Sequence, residues 1–261
     1  MPRRELEGLL LRMVDFGESD RIVHLLTPES GRLTAMAKGA RRSVKRFPGT
    51  LDLFNHLRVQ LFRSRPGRME YLQQAKLLSP QLALREKPAR FALACFVLEL
   101  LDRMAPEGGA PADCRKLYDF ALEVFRFLEG CEPDARMRTF IEVRAFDALG
   151  LRPELRRCVR CGRELEGGAP LGFHVGEGGP VCDRCGRTGE MLLPVHLGTL
   201  RALDAVLRLE LGQLERLRPG PEALEEAARL VRQFARFHVG IELRSERFLD
   251  EMLPLGPPGA A

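Results

Sequence analysis

The fold of the first third of the chain is decided by the stretch Asp20-Arg-Ile-Val-His-Leu-Leu-Thr-Pro-Glu-Ser-Gly-Arg-Leu-Thr-Ala-Met-Ala-Lys38. Side chains alternate at a period of two on both sides of a Pro-Glu-Ser-Gly turn, which is typical of two consecutive β-strands. We therefore predict strands at residues 20–27 and 32–38. Every second residue of the later strand is a small or apolar residue that suits a buried face.

Three further apolar runs flank this stretch. Residues 6–16 precede it, and residues 57–62 and 71–77 follow it. Because no long helical period interrupts the five runs, they indicate a small β-barrel that spans residues 1–80. The connection at residues 39–55 is too long and too polar for a tight hairpin, so we expect a loop beside the barrel.

Positive charge is concentrated in and around this loop. Residues 1–68 carry 14 Lys or Arg against 7 Asp or Glu, whereas the rest of the chain carries 27 against 29. A solvated face normally mixes its signs, so a polyanion such as nucleic acid is the expected partner, and a merely solvated loop is the alternative. The cations predicted to bind DNA are Lys38, Arg41, Arg42, Lys45 and Arg46 on the loop, and Arg12, Arg58 and Arg63 on the strands. Phe47 and Phe54 are possible stacking faces for bases.

From residue 88 the hydrophobic period becomes helical. The apolar runs that predict helices lie at residues 91–101, 117–128, 137–149, 197–211 and 224–238. We divide this part of the chain into a helical domain, an irregular Gly-rich insertion within it and a disordered tail. Their predicted ranges are 81–152 and 191–250 for the helical domain, 153–190 for the insertion and 251–261 for the tail.

Two Cys-x-x-Cys pairs lie in the insertion, Cys158-Val-Arg-Cys161 and Cys182-Asp-Arg-Cys185, and a glycine follows each pair. This spacing is typical of a zinc finger of the ribbon type, in which four thiolates surround Zn²⁺. A redox dithiol would need a βαβ context, and a [4Fe–4S] cluster does not suit the paired symmetry. We predict one structural Zn²⁺ held by all four cysteines, because a Cys₄ site leaves no open position for catalysis.

Residue patterns typical of active sites are absent from the sequence. The five histidines are scattered, no Gly-x-x-x-x-Gly-Lys-Ser/Thr motif occurs, and a nuclease or deaminase would need clustered carboxylates or an open zinc position. We therefore expect no enzymatic activity and no nucleotide cofactor. No apolar run reaches the roughly 18 residues of a membrane span, and no signal peptide precedes the barrel, so we expect a cytoplasmic protein.

Several blocks, taken in order, resemble the RecO family of recombination mediators. They are Gly17-Glu-Ser-Asp-Arg-Ile-Val23, Ala37-Lys-Gly-Ala-Arg-Arg42, Glu142-Val-Arg-Ala-Phe-Asp-Ala-Leu-Gly150 before the first cysteine pair, and Arg244-Ser-Glu-Arg-Phe-Leu249. The resemblance covers about residues 5–250. It implies an α+β multidomain protein with an N-terminal OB-fold barrel and a C-terminal α-helical domain that contains an inserted Cys₄ zinc finger. Some members of the family lack the four cysteines, so zinc is not essential to the family's activity.

The resemblance also implies a function. Members bind single- and double-stranded DNA, anneal complementary strands, act with RecR, and help RecA to replace single-strand-binding protein at the bacterial nucleoid. The helical domain would capture the acidic C-terminal tail of single-strand-binding protein in an apolar pocket beside a cation. The residues predicted for that pocket are Arg138, Phe140, Val143, Arg144 and Phe146. The alternative is an OB and zinc-ribbon factor of transcription or translation that binds RNA or protein.

Overall fold

The computed structural model describes residues 3–63, 67–166 and 171–255. These residues form two compact units. The first consists of Met1–Glu132 with Leu243–Ser245, and the second consists of Pro133–Glu242 with Glu246–Ala261. Among the described helices, none combines the length and the apolar character that crossing a membrane requires.

Five strands of the first unit close into a barrel in the order β1-β2-β3-β5-β4. The strands are β1 Arg3–Phe16, β2 Asp20–Thr27, β3 Gly31–Ala37, β4 His56–Phe62 and β5 Glu70–Ser79. Neighbouring strands are antiparallel except for β3 and β5, which run parallel. All five predicted strands are therefore present, and their ends lie within three residues of the predicted positions.

The alternation of side chains in the sequence indicates which strand residues form the core of the barrel. Val23 on β2 pairs with Ala35 on β3, and both side chains are fully buried. Their neighbours in the chain, Ile22 and Met36, also pair with each other and are only half-buried, because successive side chains of a strand point to opposite faces. The inward residues of all five strands form one apolar cluster.

Two helices, α1 Pro88–Met104 and α2 Pro111–Gly130, belong to the same unit as the barrel, after a short 3₁₀ helix at Leu82–Arg85. His24 Nδ1 on β2 lies 2.5 Å from Asp102 Oδ1 on α1. Through such contacts α1 and α2 pack on the strands. Helices α1 and α2 thus lie in the same compact unit as the barrel, and the domain boundary predicted at residue 80 stays a prediction.

The second unit contains the remaining helices and a small sheet. Its helices are α3 Ala135–Ala148, α4 Leu197–Arg208, α5 Leu211–Leu214, α6 Pro221–His238 and most of α7 Arg244–Met252. The sheet has the order β7-β6-β8, with β6 Leu171–His174, β7 Gly179–Val181 and β8 Leu193–Val195. The segment predicted to be irregular therefore contains strands. Asp134 begins α3, since its carboxylate accepts the Met137 N–H over 2.8 Å.

Part of the predicted disordered tail is packed. Helix α7 continues to Met252, and both Leu253 and Leu255 are buried. The Leu253 carbonyl accepts a hydrogen bond from Arg138 over 2.8 Å, and the Leu255 carbonyl accepts one from Arg232 over 2.8 Å. The prediction of disorder is therefore wrong for residues 251–255, because apolar side chains anchor them. The rest of the predicted tail lies outside the described residues.

Candidate metal centre and nucleic-acid interface

Two short turns bring the four cysteines of the predicted metal site together. After the first turn, the Gly162 N–H donates to the Cys158 carbonyl over 2.9 Å, and Gly186 donates to the Cys182 carbonyl in the same way over 3.0 Å. Gly162 has a φ of +71°, a left-handed conformation that favours glycine. The ligand atoms of Cys158, Cys161, Cys182 and Cys185 all lie within 4.8 Å of one another.

The sulfur positions fit a tetrahedral metal site better than a disulfide. The Cys161 and Cys182 Sγ atoms are 3.7 Å apart, whereas a disulfide bond is about 2.05 Å long. Metal–sulfur bonds of about 2.3 Å in a tetrahedron give sulfur–sulfur edges of about 3.8 Å. Burial opposes ionisation of Cys158, but backbone N–H groups lower the pKa of its thiol to about 6. This favours the thiolate form, which is the form that binds metals.

Arg160, which lies inside the first turn, links it to the second. Its Nη1 donates to the Cys185 carbonyl over 2.8 Å. The same guanidinium pairs with Glu177 at 2.7 Å and donates to Glu190 Oε2 over 3.0 Å. Hydrogen bonds from Arg160 lower the pKa of Glu190 to about 2. The side chain therefore holds the two cysteine turns and the segment after them in one ion-paired group.

A second group of possible metal ligands, His174, Glu177 and Glu190, surrounds this guanidinium. His174 Nδ1 accepts the Glu177 N–H over 3.0 Å, and His174 Nε2 lies 3.6 Å from Glu190 Oε1. Because Arg160 bonds to both carboxylates, the positive charge that a metal ion would bring is already in place. We assign this group a structural role.

The basic loop, defined here as residues 38–46, follows the end of β3 and lies against the β1–β2 hairpin. Gly39, with a φ of +63°, donates its N–H to Asp20 Oδ1 over 2.7 Å. The Arg41 N–H donates to the Ser19 carbonyl over 3.0 Å. The hydrogen bonds from Gly39 and Ser19 hold the pKa of the Asp20 carboxyl below its usual range. The loop backbone is thus fixed, while the side chains of its five cations are exposed.

The cations of the loop and of the strands differ in their partners. Each predicted strand arginine meets a carboxylate: Arg12 with Asp102 at 3.8 Å, Arg58 with Glu7 at 3.0 Å and Arg63 with Glu70 at 2.6 Å. On the loop, Arg41 pairs with Asp15 at 3.4 Å. Within the described ranges, the loop cations that form no ion pair are Lys38, Arg42, Lys45 and Arg46. The loop is therefore the less neutralised of the two groups.

The two phenylalanines predicted as stacking faces are buried, so that prediction is wrong. Phe47 is 4% exposed and belongs to the barrel core. Phe54 is fully buried, and its ring packs edge-to-face on Phe91 and Phe125 with centroids 5.6 Å away. Burying a large aromatic ring is favourable in free energy, so these two rings pack in the core and are not left exposed on the polar loop. Phe16, by contrast, is 53% exposed at the end of β1. The apolar run that contains it in the sequence did not indicate this exposure.

The five residues predicted to form a pocket for a partner's tail lie together on α3, but they do not line an open surface. Those that are at most 2% exposed are Arg138, Phe140, Val143 and Phe146. Arg138 pairs with Glu142 at 2.8 Å and with Asp250 at 2.6 Å. Arg144 donates to the Val206 carbonyl over 3.2 Å. We correct the assignment of this pocket, because the apolar side chains fill the core and the cations bind within the unit.

Comparisons with known proteins match the chain along most of its length. A family model described as "Recombination protein O N terminal" matches residues 1–81, and one described as "Recombination protein O C terminal" matches residues 85–247. The DNA repair protein RecO of Anaeromyxobacter dehalogenans (strain 2CP-C) is 37% identical over 259 residues, which are 98% of this chain and 99% of that protein. Proteins of the same name from Symbiobacterium thermophilum and Bacillus velezensis are 31% and 30% identical, over 95% and 94% of this chain and 96% and 93% of theirs.

Proposed function

The chain belongs to the recombination protein O family, and on this premise we propose that it is a mediator of DNA repair and recombination. It binds single- and double-stranded DNA, anneals complementary strands and, with RecR, helps to load RecA on DNA coated with single-strand-binding protein. The observation that carries the proposal is the basic loop at residues 38–46, whose exposed cations have few acidic partners in the described part of the chain.

The loop suits phosphates because its charges are available. A strand arginine such as Arg63 must first leave its carboxylate, whereas Arg42 and Lys45 can meet a phosphate without that cost. Phosphate contacts carry no information about base sequence, so binding is sequence-tolerant and weakens as salt rises. The closed five-stranded barrel supports the proposal of an OB fold, a fold that binds oligonucleotides.

Annealing requires no chemical step on the protein. Cations that neutralise phosphates lower the repulsion between two strands held on one molecule. The free energy of annealing then comes from base pairing and stacking between the strands. The proposed mechanism therefore needs no catalytic residue and no nucleotide cofactor.

We also propose that the four clustered cysteines hold one Zn²⁺. The sulfur spacing and the N–H groups directed at Cys158 fit a Cys₄ site. When bound, the ion crosslinks the two turns, and four thiolate ligands leave no position for a substrate. Its role is to stabilise a segment that has only short strands of its own.

RecR and the tail of single-strand-binding protein are proposed as protein partners. Binding of the acidic tail would require an apolar pocket beside a cation. Because Phe140 and Phe146 lie in the core of the second unit, we propose the interaction without a residue assignment on α3.

Annealing of complementary DNA oligonucleotides in the absence of ATP tests the function. We expect the protein to accelerate annealing at low salt and to lose the effect as salt rises. A structured RNA of equal charge serves as the competing probe. A preference for that RNA, with no annealing of DNA, would favour the alternative function of an RNA-binding factor of transcription or translation.

A further inference from the structure

The four cysteines of the proposed metal site differ in their exposure to solvent. Cys161 is exposed and Cys185 is half-buried, whereas Cys158 and Cys182 are only 1% and 6% exposed. Oxidation of a cysteine depends on its thiolate character and on its exposure. Cysteines bind a metal ion as thiolates, so in an occupied site exposure is what distinguishes the four sulfurs. An oxidant from solution therefore meets the sulfur of Cys161 first.

A sulfur of the second turn lies close to Cys161. The Cys161 and Cys182 Sγ atoms are 3.7 Å apart, and a disulfide bond would bring them to about 2.05 Å. Cys158, in the same turn as Cys161, is less available, because its buried Sγ accepts the Cys182 N–H over 3.4 Å. These contacts favour a disulfide between the two turns over one within the first turn.

Hydrogen bonds that need no metal ion hold the two turns beside each other. In the first turn, the Val159 N–H donates to the Pro180 carbonyl over 3.0 Å, just before the second turn begins. Arg160 Nη1 donates to the carbonyl of Cys185, which ends the second turn, over 2.8 Å. The turns would therefore stay together if an ion left the site, and their sulfurs would remain within reach of one another.

We propose that Cys161 is a site of oxidation by hydrogen peroxide, and that its oxidised sulfur forms a disulfide with Cys182 while the site gives up its zinc. This inference rests on the zinc site proposed above. It adds a modification site to the second unit and leaves the basic loop of the first unit unchanged.

The reaction takes place at the two sulfurs. The Cys161 thiolate attacks one oxygen of the peroxide and breaks the O–O bond, which gives a sulfenic acid and one hydroxide ion. The Cys182 thiolate then attacks the sulfenic sulfur, forms the S–S bond and displaces a second hydroxide ion. Two thiolates thus lose two electrons, and the peroxide takes them up and is reduced to hydroxide.

The disulfide replaces the ion as the crosslink between the turns. The two thiolates that remain, Cys158 and Cys185, do not complete the tetrahedron of a structural zinc site. The new bond closes a loop over residues 162–181, so it restricts the unfolded chain and stabilises the insertion. We therefore expect oxidation to release zinc without unfolding this segment, and a thiol reductant with added zinc to restore the site.

Treatment of the zinc-loaded protein with hydrogen peroxide tests the inference. We expect about one zinc ion per chain to be released to a chromogenic chelator, and the seven thiols of the chain to fall by two. Limited proteolysis should leave the small sheet intact. Cys95, Cys114 and Cys131 lie outside the cluster and are internal controls that should remain reduced.

Peptide mapping identifies the sulfurs that pair. Cleavage after arginine and lysine separates all four cysteines, but the peptides that begin at Cys161 and Cys185 are both Cys-Gly-Arg. An Arg163→Lys variant gives the first of these peptides a different mass, and the side chain that it changes is exposed. In this variant we expect the main crosslinked product to join Cys161 to Cys182.

Two results would overturn the inference. One is a disulfide within a single turn, Cys158 with Cys161 or Cys182 with Cys185, as the main product. The other is a cluster that keeps its thiols and its zinc at peroxide concentrations that oxidise free cysteine. A reduced wild type without zinc would show that the proposed metal site fails, and the mapping would still decide whether Cys161 is oxidised, so the two failures are distinguishable.

Discussion

The basic loop and the cysteine turns are similar in construction, but their cations are placed differently. Each is a short polar segment with a glycine of positive φ, Gly39 in one and Gly162 in the other. In the turns, Arg160 lies between Glu177 and Glu190 and is only 19% exposed. In the loop, the exposed side chains of cations such as Arg42 have no acid within reach among the described residues.

This difference distinguishes two roles of arginine, one in the stability of the fold and one in the binding of anions. A guanidinium with carboxylates on both sides contributes to the structure, because moving it would leave those charges unpaired. Exposed cations without carboxylates create a local positive potential that attracts anions from solution. We therefore assign stability to an arginine that lies between carboxylates, such as Arg160, and binding to the arginines of the loop, and each assignment can be tested.

The largest effect is expected at the proposed metal site. Cys158→Ser removes the most buried of the four ligands, so the turns lose their crosslink. We expect zinc content to fall from about one ion per chain to nearly none, and the small sheet to become sensitive to proteolysis, while the loop keeps its affinity for DNA. Cys114→Ser, at a buried cysteine outside the cluster, is the control for loss of a thiol.

Elemental analysis and limited proteolysis measure both consequences. Wild-type protein without bound metal would contradict the zinc proposal. A Cys158→Ser protein that folds normally but no longer anneals DNA would show that the cysteine turns take part in binding, and the division between the two regions would fail.

The next effect is expected at Arg138, the most deeply paired cation. Arg138 is 1% exposed and bonds to Glu142 and Asp250. Arg138→Met should destabilise the protein by about 3–5 kcal/mol, because it leaves the Glu142 carboxylate buried without its partner. Chemical denaturation measures the change. Arg115→Met, at an exposed pair with Asp119, should leave the midpoint unchanged. Equal effects of the two variants would contradict the argument from pairing.

A smaller effect is expected at Arg160. Arg160→Ala should keep all four thiolates but release zinc several-fold faster to a chelator, because the bond from the guanidinium to the Cys185 carbonyl is removed. Arg157→Ala, at an exposed pair with Glu164, is the control from the same turn. A release rate like that of the wild type would mean that the turns hold their geometry without the guanidinium.

The smallest effect concerns the dependence of stability on pH in the first unit. Burial opposes the charge of Asp102, but the hydrogen bond and charge of His24 hold the pKa of Asp102 below its usual value of 3.8. A lowered pKa gives stability that is fully present above the unfolded value and is lost as the pH falls through the folded value. The difference in melting temperature between the wild type and Asp102→Asn should therefore shrink as the pH falls below about 4. A difference that stays constant down to about pH 2 would contradict this.

Local patterns predicted the elements of the fold well. The alternation at Asp20–Thr27 is enough to predict β2, because a half-buried strand imposes a period of two on its residues. The cysteine spacing likewise identified a group whose sulfurs the structure brings together, since the ligands lie on two short turns. Both signals are contained within a few neighbouring residues.

Features that depend on distant residues were not predictable in this way. Phe47 and Phe16 look alike in the sequence, but the core covers Phe47 while the hairpin leaves Phe16 exposed. In the sequence, Arg138 resembles a surface cation of an amphipathic helix. The structure pairs it with Asp250, which lies 112 residues further along the chain. Pairing across the fold decides which cations are free, and a single sequence does not reveal it.

The loop cations should be available to phosphates because they have few acidic partners among the described residues. The most direct measurement is the affinity for single-stranded DNA across a salt series. The loop variant changes Arg41, Arg42, Lys45 and Arg46 to Gln. The control variant changes four exposed arginines of the second unit to Gln, namely Arg201, Arg216, Arg229 and Arg247. Each set lowers the net charge by the same four units from +5 to +1.

The loop variant should bind more weakly, and its plot of log affinity against log salt should be less steep by about 0.7 for each phosphate that the variant no longer neutralises. The control variant should keep the slope of the wild type, and both variants should melt at the wild-type temperature because the altered side chains are exposed. Equal slopes for the two variants, or a loop variant that binds like the wild type, would show that the loop cations do not bind the phosphates.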